Sequence, residues 1–228
     1  MAWNIAVVAA LLLALGYIGF LHYRVYRRER ALTRTDDLTH VENRRAFYED
    51  AGREFERARR YNHPFTLAYF DVDDFKEVSD RFGHQLGDGI LCLVAETARD
   101  SIRASDLVAR LGADQFAVLL PEAGVDAASA VIRKLQEALR HGSLVTGLPL
   151  TVSGGVVTCL PPAESLEAVI GTADQLLHGA KSTGRDTFWS EVVAPQPLEG
   201  FEPARLRRPW RLPPSFDVPM PPQFGRWG

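Results

Sequence analysis

Residues 71–76, Asp71-Val72-Asp73-Asp74-Phe75-Lys76, gather three carboxylates directly after an apolar and aromatic run. A further acid, Asp114, stands about forty residues later between two short stretches of alternating apolar residues. Carboxylates that project from adjacent strand ends bind hard cations such as Mg²⁺, which in such places is shared with nucleotide phosphates. Lys181 and Arg185, at the end of a helical stretch and just beyond it, are cations able to meet the far end of a triphosphate. On spacing alone, ordinary surface charge at strand and helix ends explains these residues at least as well.

The elements that must position them are legible in the apolar periodicity. Residues 65–71 suit a buried strand ending in carboxylates. Ile90, Leu91, Leu93, Val94 and Ala98 recur at helical spacing within residues 87–104. Leu107, Ala109 and Leu111 alternate, as do Phe116, Val118 and Leu120, and Gly112-Ala113-Asp114-Gln115 lies between them. That is a β-hairpin whose turn carries an acid. Ala127, Val131, Leu135 and Leu139 form the seam of a helix over residues 126–140. Residues 150–160 are a strand containing Gly154-Gly155, which marks a bulge or a close backbone approach. A helix over residues 165–181 opens on Ser165 with Glu167 close behind, and Gly184 ends it. Thr187-Phe188-Trp189 begins a short last strand. Two βαβ-like units around a hairpin predict an α+β sandwich with one mixed sheet.

Four motifs in this order make the pattern specific. Asp37-Leu38-Thr39 with Asn43-Arg44-Arg45-Ala46-Phe47 is similar to the D-x-L-T-G-L-x-N-R-R-x-F opening of the GGDEF (diguanylate cyclase) family. Asp71-x-Asp73-x-Phe75-Lys76, then Gly83-His84-x-x-Gly87-Asp88, resembles the family's second signature. Arg110-Leu111-Gly112-Ala113-Asp114-Gln115-Phe116 stands in the place of R-x-G-G-D-E-F, and Ala180-Lys181-x-x-Gly184-Arg185 matches the closing A-K-x-x-G-R-N. The resemblance implies a nucleotide-cyclase-like fold, a five-stranded mixed sheet flanked by helices. It implies condensation of two GTP into cyclic di-GMP by active members, one GTP on each subunit of an antiparallel homodimer. It also implies Mg²⁺ ligation by Asp71, Asp114 and the backbone carbonyl of Val72. Nucleotide contacts are implied from Phe75, Lys76 and position 79, guanine recognition from Asp88, and phosphate contacts from Lys181 and Arg185. Arg103-x-x-Asp106, just ahead of the hairpin, lies where cyclases carry their R-x-x-D product-inhibition site for cyclic di-GMP.

The departures from the family pattern fall on working parts. Gln115 replaces the glutamate of the fourth signature position. It brings no negative charge and cannot accept a proton from an attacking hydroxyl, so no catalytic base is assigned. Ser79 replaces a guanine-binding asparagine and is too short for the same paired contacts. His40 and Ala113 replace glycines, and a methyl at position 113 restricts positive φ and crowds an approaching phosphate. Asp186 replaces the closing asparagine and sets an acid beside Arg185.

Composition and flanks complete the expectation. The chain has 228 residues, a net charge of -3 and 46% hydrophobic residues, a globular balance that argues against a nucleic-acid-coating protein. Two cysteines, Cys92 and Cys159, are too few for a disulfide framework and read as core residues in a reducing compartment. His63, His141 and His178 are isolated and read as surface or capping residues. Residues 1–23 carry no charge before Arg24 and suit a retained transmembrane signal anchor. Arg24, Arg27, Arg28 and Arg30 then open a basic linker, residues 24–35, expected on the cytoplasmic side of a bacterial inner membrane. Residues 36–193 form the folded domain. Residues 194–228 hold nine of the 14 prolines, so this tail is expected to be extended or disordered. Its basic-aromatic cluster reads first as a solvated linker and otherwise as a contact for anionic lipid or a protein partner. The expected function is a membrane-anchored, degenerate GGDEF protein that binds cyclic di-GMP or GTP with weak or no cyclase activity. The alternatives are a working cyclase and a structural dimerisation module.

Overall fold

The computed structural model describes residues 15–21, 24, 33–147, 150–160, 165–194 and 208–210. Most of the expected membrane anchor, most of the linker and most of the tail lie outside these residues. No helix among the described residues is long and apolar enough to cross a membrane. In residues 15–21 the helical backbone exposes Leu15, Tyr17, Ile18 and Phe20.

The elements run β1 (Glu42–Asn43), α1 (Arg44–Tyr61), β2 (Phe65–Val72), α2 (Phe75–Phe82), α3 (His84–Ser101), β3 (Leu107–Arg110) and β4 (Gln115–Pro121). They continue as α4 (Val125–Thr146), β5 (Val152–Cys159), α5 (Leu166–Ser182), β6 (Phe188–Val193) and β7 (Arg208–Trp210). One mixed sheet has the order β1-β3-β4-β2-β5-β6-β7. Its β2–β4, β2–β5, β3–β4 and β6–β7 pairs are antiparallel, whereas β1–β3 and β5–β6 are parallel.

The expected five strands are the inner ones, and two short strands extend them to seven. Glu42 and Asn43 pair beside β3. At the other margin Arg208–Trp210, inside the proline-rich tail, pairs with β6. An edge strand needs only one set of backbone bonds, so a proline-bearing segment can join there.

Both faces of the sheet are covered. Phe70, Val72, Phe116 and Val118 face a layer that includes Leu91 and Val94 of α3 and Ile132 and Leu135 of α4. Phe65, Leu67, Tyr69 and Leu119 face Phe47, Ala51 and Phe55 of α1 and Ala173, Leu176 and Leu177 of α5. This is why β2 reads as a mostly apolar run: every one of its residues is buried. Each large side chain buried in these layers contributes about 1.5–3 kcal/mol. The Ser165 cap is the one the sequence suggests, and Asn43 is a second. Asn43 accepts from Ala46 N–H at 3.0 Å and Ser165 from Ala168 N–H at 3.1 Å.

Of the two expectations for Gly154-Gly155, the close approach is the one realised. The β2–β5 register runs unbroken from Phe65↔Cys159 to Val72↔Val152, with no bulge. A Cβ at Gly154 would lie 2.2 Å from the Phe188 ring, and one at Gly155 would lie 2.1 Å from the Ala173 carbonyl oxygen of α5. Both cysteines are free. Cys159 is buried, and half-buried Cys92 directs its thiol to the Leu38 carbonyl at 3.4 Å. His63, expected as a surface or capping residue, follows the end of α1 and donates its N–H to the Ala58 carbonyl at 3.3 Å. It is partly buried, 3.8 Å from Oε1 of Glu54, whose carboxyl burial pushes up despite nearby Arg57.

Candidate active site at the ends of the central strands

Asp71 keeps the side-chain phase of Leu67 and Tyr69 and so faces α5, where Lys181 occupies the last turn. Lys181 Nζ forms an ion pair with Asp71 Oδ2. The other oxygen, Oδ1, is buried and has no hydrogen-bond partner among the described residues. Opposite Asp71 in the β2–β4 register stands Gln115. Directly paired residues project to the same face with Cβ atoms about 5 Å apart, so the neutral amide neighbours the buried acid. Asp114 begins the approach to β4, and its carbonyl accepts from Val72 N–H at 3.2 Å. The structure therefore brings Asp71, Val72, Asp114, Gln115 and Lys181 to one corner. Burial pushes the Asp71 carboxyl above its ordinary range. Lys181 pulls it back, while Asp114 and Asp174 on α5 add to the upward push. Asp174 is a contributor that the motifs do not announce.

Beside this corner, the segment after α5 takes an unusual path. Gly184, Arg185 and Asp186 have φ of 118°, 60° and 46°, and Asp74 across from them has φ 52°. Arg185 pairs with Asp74 at 3.0 Å, so in this structure its guanidinium is met by an acid of the site itself. Asp73 explains the strain. Its buried carboxylate accepts from Ser153 Oγ at 2.7 Å, Thr151 Oγ1 at 2.8 Å and Asp186 N–H at 3.1 Å, locking the segment to the sheet. Asp73 is thus a structural acid rather than a free ligand. The Asp186 carboxyl does not stand against Arg185 as expected; it turns to Arg140 of α4 at 2.6 Å.

The hairpin turn is held by a clamp. Arg110 donates to the carbonyls of Gly112 at 3.0 Å and Ala113 at 2.7 Å, and to Asp36 Oδ1 at 3.0 Å. Asp36 also accepts from Thr39 N–H at 3.0 Å and Thr39 Oγ1 at 2.8 Å. Burial acts to raise the Asp36 carboxyl, but these bonds and Arg110 outweigh it and hold it below the usual range. Ala113 is absent from the residues of positive φ, so the backbone objection to a methyl there does not apply. The objection does apply at His40, whose φ is 56°. Replacing His40 by glycine is expected to raise stability by about 1 kcal/mol, because a side chain is disfavoured in the left-handed region. A urea midpoint that is unchanged or lower would contradict this.

The remaining residues flank the corner or lie apart from it. Phe75 opens α2 and packs partly on the core, while Lys76 and Asp88 are exposed on α2 and α3. Ser79 is buried with its hydroxyl 3.2 Å from His84 Nδ1, and a Cβ on Gly87 would come within 3.1 Å of that oxygen. Position 79 is therefore closely packed around the shorter side chain. Arg103 and Asp106 precede β3, whose four residues separate them from Arg110 by about 13 Å of extended chain. Asp106 Oδ2 accepts from Arg103 N–H at 2.9 Å, closing the turn, and the Arg103 side chain is left exposed. Arg99, Ile102 and Glu42 line the adjoining hollow.

As a donor set, Asp71, Asp114 and the Val72 carbonyl are hard oxygens that suit Mg²⁺ in kind, and Asp71 Oδ1 is an acceptor in need of a partner. In number the set is thin. No group of three His, Cys, Asp or Glu side chains able to hold a metal occurs among the described residues.

Comparison with known proteins shows the family. The family model described as "Diguanylate cyclase, GGDEF domain" matches residues 33–187. The chain belongs to the GGDEF family. Diguanylate cyclase DgcP of Pseudomonas aeruginosa is 36% identical to this GGDEF chain over 162 residues, covering 70% of this chain and 24% of that protein. Among solved structures, diguanylate cyclase SiaD of Pseudomonas aeruginosa, in complex with its activator SiaC, matches with a TM-score of 0.63 and 30% identity. That match covers 80% of this chain and 72% of SiaD. The GGDEF domain of DgcB from Caulobacter crescentus, in complex with c-di-GMP, matches with a TM-score of 0.60 and 31% identity, over 71% of this chain and 92% of that one. The chain spans less than half the length of the curated relatives it matches. Its GGDEF fold, α+β with helices on both faces of a mixed sheet, is the one these motifs imply.

Proposed function

We propose that this chain is a membrane-anchored, degenerate GGDEF protein of cyclic di-GMP signalling. It binds cyclic di-GMP or GTP as a receptor and has weak or no cyclase activity. Its GGDEF domain lies on the cytoplasmic side of a bacterial inner membrane.

The observation that carries this reading is the register of Asp71 against Gln115, with Lys181 already paired to Asp71. The lysine offsets one acid and the glutamine adds none, which leaves Asp114 as the uncompensated anion closest in register. Asp71, Asp114 and the Val72 carbonyl would hold Mg²⁺, whose charge would neutralise a triphosphate and aid attack of a 3′-hydroxyl on the α-phosphorus. The residues' own work is positional. Lys181 and Arg185 would turn from Asp71 and Asp74 to phosphate, and Asp88 would accept from guanine N–H groups. With Gln115, no side chain at the signature's fourth position removes the hydroxyl proton.

The receptor half rests on Arg103 and Asp106. The turn is closed by Asp106 while the Arg103 guanidinium remains available for phosphate or a guanine edge. DgcB's complex with c-di-GMP and SiaD's with an activator protein support a nucleotide ligand and a protein partner for this chain. Titration calorimetry on the purified protein tests the reading. Cyclic di-GMP is expected to bind, and Arg103→Ala to weaken it at least about tenfold, the loss of one charge-assisted contact. No heat with either nucleotide, or equal affinity in the variant, would overturn it.

One observation favours the second reading, a working cyclase. Asp71, Asp88, Asp114, Lys181 and Arg185 are all present, and Ala113 sits in an ordinary backbone conformation. Incubation with GTP and Mg²⁺ separates the two readings.

A further inference from the structure

The outer margin of the sheet carries a docking arrangement unrelated to the nucleotide corner. Thr187 and Val193 direct their carbonyls inward toward β5, to the N–H of Gly154 at 2.9 Å and of Leu160 at 2.8 Å. Backbone groups alternate along a strand, so Phe188, Ser190 and Val192 turn their N–H and C=O outward. β7 lies antiparallel on that edge in the register Phe188↔Trp210, Trp189↔Pro209, Ser190↔Arg208. Pro209 therefore falls opposite Trp189, the residue whose polar groups point inward, at the one place where no N–H is needed. Arg208 and Trp210, which do have an N–H, fall opposite the two outward-facing residues. Beyond them Val192 has no strand partner on that side among the described residues, and its side chain is 43% exposed. It borders an apolar groove that Val125, Ala128 and Ile132 of α4 line.

We propose that the outer edge of β6 is a strand-docking surface, and that Arg208–Trp210 of the same chain is its resident ligand. The surface takes an antiparallel extended segment with proline at the central position. Three residues supply few ladder bonds, so a longer peptide of the same pattern can compete for the edge and release the tail.

Hydrogen exchange on the full chain, read at single amides, tests this. Phe188 and Ser190 amides are expected to be protected, and Arg208→Pro is expected to speed their exchange at least tenfold. The Trp189 and Glu191 amides, which face β5, should hold their rates, and the Phe70 amide of β2 reports that the fold is intact. Pro209→Ala should leave all of them unchanged. A synthetic peptide of residues 205–212, added to the Arg208→Pro protein, should restore protection at Phe188 and Ser190. Unaltered exchange in Arg208→Pro, or no rescue by the peptide, would overturn the proposal. Protection that grows with protein concentration would assign the strand to a second copy and overturn the resident-ligand form.

Discussion

Gln115→Glu is expected to raise the rate of cyclic di-GMP formation by roughly 100-fold and to make the protein's thermal stability respond to Mg²⁺. Position 115 lies opposite Asp71 in the ladder, so the new carboxylate stands about 5 Å from a buried acid. At an effective dielectric near 20, two unit charges at that distance interact by about 3 kcal/mol. Without a divalent ion the term is repulsive, and the variant should unfold at a lower temperature than the parent. A divalent ion held at Asp71 and Asp114 would attract the new carboxylate and offset that repulsion, and a net gain of about 3 kcal/mol corresponds to about two powers of ten in an equilibrium or rate. Thermal midpoints with and without Mg²⁺, beside GTP turnover, separate the metal effect from chemistry. A parent protein that already turns over as fast as the variant would remove the premise. A variant that gains Mg²⁺ response but no turnover would place the remaining deficit at Ser79 and the guanine contacts.

The second large effect concerns the packing that holds Lys181 in place. Gly155→Ala should cost roughly 3 kcal/mol or more and deplete the folded protein. The added methyl meets the Ala173 carbonyl oxygen at 2.1 Å, Leu176 Cβ at 2.6 Å and Leu177 N at 2.7 Å, most of which is helix backbone that cannot rotate away. α5 would have to lift off β5, carrying Lys181 away from Asp71. Gly171→Ala, on the same helix with nothing within 4 Å, is the control. It should be neutral or stabilising by up to about 1 kcal/mol, since alanine is the better helix former. Similar denaturation midpoints for the two variants would show that the β5–α5 contact is more yielding than its distances imply.

How much of this could be read from the residues differs between fold and site. The inner strands and the helices α3, α4 and α5 announce themselves through periodicity, and burial on both sides of β2 leaves room for a single polar residue, Thr66, before Asp71. The hairpin was equally plain, since Leu107 to Leu111 and Phe116 to Leu120 alternate around a turn. The two marginal strands were not. Two and three residues carry no period, and a proline-rich segment gives no sign that its one useful phase matches a free edge. Within the site, motif spacing marked Asp71, Asp114 and Lys181. It did not say that Lys181 pairs with Asp71, or that Asp73 is spent on Thr151, Ser153 and the Asp186 amide. Those are distances between segments far apart in the chain. A positive φ at position 113 is not realised, because a glycine in a motif need not have a glycine's conformation, whereas His40, at another motif glycine, does have one.

The guanidinium of Arg110 has a mechanical implication. It grips Asp36, where the polypeptide enters the domain, and the carbonyls of Gly112 and Ala113 with a single flat group. A planar, multiply bonded head on a half-buried stem has little rotational slack. The domain's entrance and the loop bearing Asp114 are therefore tied through one rigid group, so a displacement of either strains the other.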